Sequence, residues 1–87
     1  MASYEVRLSR SACRELASVG TKDDRRRIVA ALEQLGDNPR PFGSAKLATS
    51  VSTYRIRTGD YRVVYEVLDE VRVVDVIKIG HRREVYR

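Results

Sequence analysis

Arg55, Arg57 and Arg62 stand around a single reversal in the stretch Tyr54-Arg55-Ile56-Arg57-Thr58-Gly59-Asp60-Tyr61-Arg62-Val63-Val64-Tyr65. Residues two apart on an extended strand share a face, so Arg55 and Arg57 point the same way, and a two-residue turn at Gly59-Asp60 lays Arg62 across from them. Three guanidinium groups converging on one patch suit phosphate oxygens, which arginine engages in a planar, bidentate manner. The chain ends His81-Arg82-Arg83-Glu84-Val85-Tyr86-Arg87, adding the only histidine, further cations and an aromatic ring. An imidazole titrates near neutrality and can move a proton. A tyrosine past the last strand has no packing duty and can stack on a base, as single-strand readers do. Glu66 is either a base near the arginines or their ion-pair partner, and the partner role is favoured.

The charge balance agrees with a polyanionic partner. Net charge is +5 with 17 basic residues, and only Lys22, Lys46 and Lys78 are lysine. That arginine bias fits nucleic acid better than mere solubility. Arg25-Arg26-Arg27 is the longest basic run, but at 100° per residue it fans around a helix and reads as a solvated face. An anionic membrane surface is a weaker match, because no basic amphipathic helix with a broad apolar face is present.

These residues must be positioned by a small scaffold. The 87 residues, 43% hydrophobic, specify one domain over 1–87 with a modest core. Tyr4, Val6 and Leu8 alternate against Glu5 and Arg7, the period of a half-buried strand. Ser9 or Ser11 caps a following helix with an apolar stripe of Ala12, Cys13, Leu16, Ala17 and Val19, ended by Gly20. Thr21-Lys22-Asp23-Asp24 fits a capping box, and Ile28, Ala31, Leu32 and Leu35 recur at helical spacing until Gly36. The two helices form a hairpin hinged at Gly20.

Residues 37–52 hold Pro39, Pro41 and Gly43 and read as a long connection, a length that is often functional or hides a short element. Thr53 to Thr58, Tyr61 to Leu68 and Val71 to Ile79 then make a three-stranded meander, turning at Gly59-Asp60 and Asp69-Glu70. The last strand, apolar on both faces, belongs in the centre of the sheet and delivers the tail to the arginines. The fold class is α+β: β-α-α-β-β-β, a mostly antiparallel four-stranded sheet with a two-helix hairpin on one face. Tyr54, Tyr61 and Tyr65 are core residues.

Several functions are excluded. Cys13 is the only cysteine, so no internal disulfide forms, and it reads as a small core residue. One His and one Cys far apart make no metal site, and no glycine-rich loop offers a nucleotide cofactor a seat. No serine sits in a strained strand-to-helix turn, so a serine hydrolase is unsupported. With no apolar run of membrane length and no signal peptide, the chain reads as cytoplasmic.

The residues so placed resemble the RelE/ParE toxin superfamily, and more closely its RelE branch of mRNA interferases. The likeness spans nearly the whole chain. It rests on the initial strand and helix hairpin, Asn38-Pro39, Lys46-Leu47, the Tyr54 to Tyr65 stretch, and the ending Ile79-Gly80-His81-Arg82 with Val85-Tyr86. The resemblance implies ribosome-dependent, metal-free cleavage of mRNA in the A site by attack of a 2′-OH on the adjacent phosphate. It implies mRNA and the ribosome with its rRNA as partners, a cognate antitoxin, and no small-molecule cofactor. By position, Arg62 matches the phosphate-stabilising arginine, Arg82 the arginine near the leaving group, and Tyr86 the base-stacking tyrosine; Arg83 joins the phosphate contacts.

Arg55 and Arg57 fall where some members carry lysines. Arginine keeps its proton, so Arg57 is a poor general base. His81 is then the first choice for proton transfer and Glu66 the second. ParE-like members share the scaffold but inhibit DNA gyrase without cutting RNA, so gyrase inhibition and RNA binding without catalysis stand as alternatives.

Overall fold

The computed structural model describes residues 3–47 and 52–81. Strand β1 (Glu5–Leu8) leads into helices α1 (Arg10–Ala17) and α2 (Lys22–Asp37), followed by β2 (Ala45–Lys46), β3 (Thr53–Thr58), β4 (Tyr61–Leu68) and β5 (Val73–His81). The strands form one sheet in the order β1-β5-β4-β3-β2. Only β1 and β5 run parallel; the other neighbours are antiparallel. The α+β class matches the sequence reading, and β5 lies inside the sheet between β1 and β4, with β4 rather than β5 at its centre.

Local chemistry explains the helices. The Ser9 hydroxyl accepts from the Ala12 amide at 3.0 Å and starts α1, while Thr21 does the same for Asp24 at 3.1 Å and starts α2, each supplying a partner for an orphan N–H. Ile28, Leu32 and Leu35 bury the inward stripe of α2. The helix runs through Gly36 rather than stopping there, because β1 needs the close approach: the Tyr4 amide donates to the Gly36 carbonyl at 2.8 Å, and a Cβ at Gly36 would lie 3.1 Å from the Tyr4 carbonyl oxygen.

Three expectations are corrected. The sheet has five strands, not four, since residues 37–52 contain β2, whose Ala45 and Lys46 pair with Arg55 and Tyr54. A two-residue strand is too short to show alternation. Cys13 is exposed, because the buried face of α1 runs through Ala12 and onward to Val19, and Cys13 lies about 100° away from Ala12. The last strand begins at Val73, since Asp69 to Arg72 form the turn: the Arg72 amide donates to the Asp69 carbonyl at 3.3 Å and Arg72 takes a left-handed φ of 53°. Val71 is left exposed.

Both helices pack on the sheet face carrying Val63, Tyr65, Val74, Val76 and Ile79, all buried. Tyr65 is fully buried and its hydroxyl donates to the Pro39 carbonyl at 2.8 Å; burial pushes its pKa up to about 12. This bond ties the 37–52 connection to the core. Tyr65→Phe leaves that acceptor unmet, and we expect a loss of about 1–2 kcal/mol in urea unfolding with an unchanged m-value.

A second tie lies on the surface. Asp69 accepts from Arg40 Nη2 at 2.7 Å and from the Tyr4 hydroxyl at 2.6 Å, while Arg40 Nε donates to the Tyr54 hydroxyl at 3.0 Å. Arg40, then Tyr4, hold the Asp69 carboxyl below its ordinary value. A carboxylate with a lowered native pKa stabilises the fold above its unfolded pKa, and that contribution disappears as pH falls through the native value. Stability should therefore fall more steeply below about pH 4 in the wild type than in Asp69→Asn, as read by urea midpoints across an acid series.

Candidate phosphate-binding site

The sheet face opposite the helices carries the arginines. Strand alternation sets Arg55 and Arg57 against buried Ile56, and Arg62 against buried Val63, so all three point away from the core. Register makes the grouping tight: Arg57 pairs directly with Arg62, and Arg55 with Val64. Arg62 faces Gly80 on β5, a position with no side chain. A concavity of about 230 Å³ is lined by Gly43, Ala45, Arg55, Ile56, Arg57 and Arg62. The turn that brings Arg62 across places Gly59 at φ 62°, the first central position of a two-residue hairpin loop that demands glycine.

Like charges directly opposite one another on neighbouring strands are destabilising. Arg57 and Arg62 stand in such a pair, and an anion between them is attracted by both guanidinium groups. Arg57 also lines a second groove, about 760 Å³, with Arg27, Ala30 and Ala31 of α2, exposed Phe42, and Ile56. Here the basic run on α2 proves divided. Arg27 Nη1 lies 3.8 Å from where a Cβ on Gly59 would be, and Arg25 donates to the Val19 carbonyl at 3.2 Å. The part of Gly43 in the arginine concavity, at φ 93°, was signalled only by its Pro41-Phe42-Gly43 context.

The proton-transfer candidates sit elsewhere. Glu66 shares the arginine face but accepts from the Ser52 hydroxyl at 3.0 Å, four residues along β4 from Arg62, roughly 13 Å at about 3.3 Å per residue. His81 pairs with Tyr61, and the two rings meet edge to face with centroids 5.7 Å apart. Tyr61 and Arg62 are sequential, so His81 lies on the helix face, across the sheet rim from the arginines. That departs from the expected convergence, and a bulge is the reason. Val64 pairs with Lys78 but Tyr65 with Val76, which leaves Ile77 as an extra residue and reverses the alternation beyond it. Arg82, Arg83 and Tyr86 lie outside the described residues.

The α1 helix completes the support for this end of β5. β1 pairing stops at Val76. Beyond it the Ser9 hydroxyl donates to the Ile77 carbonyl at 3.0 Å, and Glu15 accepts from the Ile79 amide at 2.8 Å and from Lys78 Nζ at 3.2 Å. Helix side chains thus replace a strand partner along the segment that ends in His81.

A basic sheet face, two helices behind it and a bulged central strand define a class, and comparison with known proteins identifies it. Residues 6–86 match the family described as the ParE toxin of type II toxin–antitoxin system, parDE, and the chain belongs to the RelE/ParE toxin superfamily. Within it, the relatives are on the RelE side. Toxin RelE of Mycobacterium tuberculosis (strain ATCC 25618 / H37Rv) is 30% identical over 84 residues, covering 97% of this chain and 87% of the relative. Toxin RelG of the same strain is 27% identical, covering 97% of each. The isolated Escherichia coli RelE toxin superposes with a TM-score of 0.81 at 32% identity, over 97% of this chain and 92% of that one. RelE from the Pyrococcus horikoshii OT3 RelE–RelB complex gives 0.79 at 26% identity, over 94% and 98%.

Proposed function

We propose that this chain is a ribosome-dependent endoribonuclease that cuts mRNA in the A site, paired in a type II system with a cognate antitoxin. The observation that carries the reading is the grouping of Arg55, Arg57 and Arg62 along one concavity, with Arg57 directly across from Arg62, an array of guanidinium groups suited to a phosphodiester. Arg62 and Arg57 hold the non-bridging oxygens and stabilise the negative charge that builds there. The 2′-OH attacks phosphorus and the bond to the 5′-oxygen breaks. The 2′-OH proton passes to a base and the 5′-oxygen takes up a proton, leaving a 2′,3′-cyclic phosphate and a 5′-OH.

His81 is the proton-transfer group in this reading, reached by RNA that passes the rim at Tyr61 and Arg62. Glu66 is the weaker candidate because of its distance along β4. Arg82 acts at the leaving group, Arg83 on a flanking phosphate and Tyr86 on a base, by the family resemblance. The ribosome supplies in-line geometry, and the protein works in the cytoplasm. No metal or cofactor takes part in these steps.

A ParE-like inhibitor of DNA gyrase is the second reading, favoured by the family description that the chain matches. Purified protein incubated with programmed ribosomes should give cuts within the A-site codon by primer extension, and should leave gyrase supercoiling unaffected. Supercoiling inhibition without cleavage would establish the second reading instead.

A further inference from the structure

The bulge that carries His81 to the helix face also creates a second concavity. It occupies about 210 Å³ and is lined by Arg14, Ser18, Val19, Tyr61, Gly80 and His81, with Glu15 at one side. Only the rim separates it from the arginine face, because Tyr61 and Arg62 are sequential on β4 and Gly80 and His81 are sequential on β5.

The charges within it are unequal. Glu15 is engaged by Lys78 Nζ and the Ile79 amide, so its negative charge is already compensated. The Ser18 hydroxyl donates to the Arg14 carbonyl at 2.9 Å. Among the described residues the Arg14 guanidinium pairs with no carboxylate, and it is exposed. Tyr61 and His81, whose rings meet at 77°, line the same concavity. A guanidinium with no carboxylate partner among the described residues, beside two aromatic rings, is the chemistry of a nucleotide unit, with base against ring and phosphate on guanidinium.

We propose that this pocket is a second RNA subsite: a single strand held by phosphate at Arg57 and Arg62 bends over the Tyr61–Arg62 rim, seats a neighbouring base against Tyr61 and His81, and rests its next phosphate on Arg14. The proposal rests on the RNA reading above. It also gives the rim crossing a purpose, since an anchored nucleotide on each side fixes the backbone between them.

The test is fluorescence anisotropy with labelled oligouridylates of two and nine nucleotides across a salt series. Arg14 is exposed on a helix surface, so Arg14→Ala should keep the wild-type melting temperature. Arg26→Ala controls for the bare loss of one positive charge. Arg14→Ala should bind the nonamer severalfold more weakly, with a log–log salt slope flatter by about 0.7, while the dinucleotide, whose single phosphate cannot fill both sites, binds the arginine face as before. Arg62→Ala should weaken both. If Arg14→Ala matches Arg26→Ala on the nonamer while Arg62→Ala still weakens binding, the subsite is wrong and the arginine face stands. If the wild type binds neither oligonucleotide, or Arg62→Ala has no effect, the RNA reading fails and the subsite with it.

Discussion

Arg62→Ala should lower ribosome-dependent mRNA cleavage by about 10² or more, the scale of losing one preorganised donor to the charge of a transition state. Arg62 holds this weight because of its surroundings. It is half-buried on β4, opposite Arg57 and facing Gly80, and its Nη1 is shielded from solvent. A fixed, partly desolvated cation acts more strongly on phosphate than a mobile surface one. The loss should fall on the rate of cutting at saturating protein, and Arg62→Lys should recover only part, since lysine cannot present a planar fork. Full activity in Arg62→Ala would show that the arginine face is not the phosphate site.

The second large effect is at His81. His81→Ala should also cost about 10² or more in cleavage, as expected for removal of a general acid or base. A proton-transfer role predicts more than a lower rate. The pH–rate profile should lose the limb that proton transfer at His81 supplies, a change that loss of ring packing against Tyr61 would not produce. His81→Phe keeps an aromatic ring beside Tyr61 without the nitrogens, and should be as slow as His81→Ala. A His81→Phe protein with wild-type rate and pH profile would assign His81 to packing alone.

Much of the scaffold was legible because each signal has a local cause. Ser9 and Thr21 announce the helices they cap, and Gly59-Asp60 announces its hairpin. The triplet of Arg55, Arg57 and Arg62 could be read as one patch because strand alternation and a two-residue turn fix it without reference to the rest of the fold. What stayed hidden depends on non-local geometry. β2 exists only because Ala45 and Lys46 meet Arg55 and Tyr54, and two residues have no readable period.

The face taken by His81 turns on the extra residue Ile77. Val73-Val74-Asp75-Val76-Ile77-Lys78-Ile79 is apolar on both faces, so its pattern does not register a one-residue slip. The only trace is that the buried positions step from Val74 and Val76 to Ile79. Cys13 was misplaced for a similar reason: a helix with Ala12, Cys13, Leu16 and Ala17 has a broad apolar stripe, and tertiary packing selects the Ala12 side. The arginines were therefore readable as a charged patch, while the separation of the proton-transfer candidate from them required the register of β4 against β5.

In the proposed function the arginine face binds the phosphate of an RNA strand that is cut by its own 2′-OH. Mass spectrometry of the 3′ ends released from programmed ribosomes, for the wild type beside the Arg57→Ala/Arg62→Ala double variant, tests it most directly. The wild type should leave a 2′,3′-cyclic phosphate at cuts within the A-site codon, and the double variant should give almost no product. Ends bearing a 3′-hydroxyl, or undiminished cutting by the double variant, would contradict it.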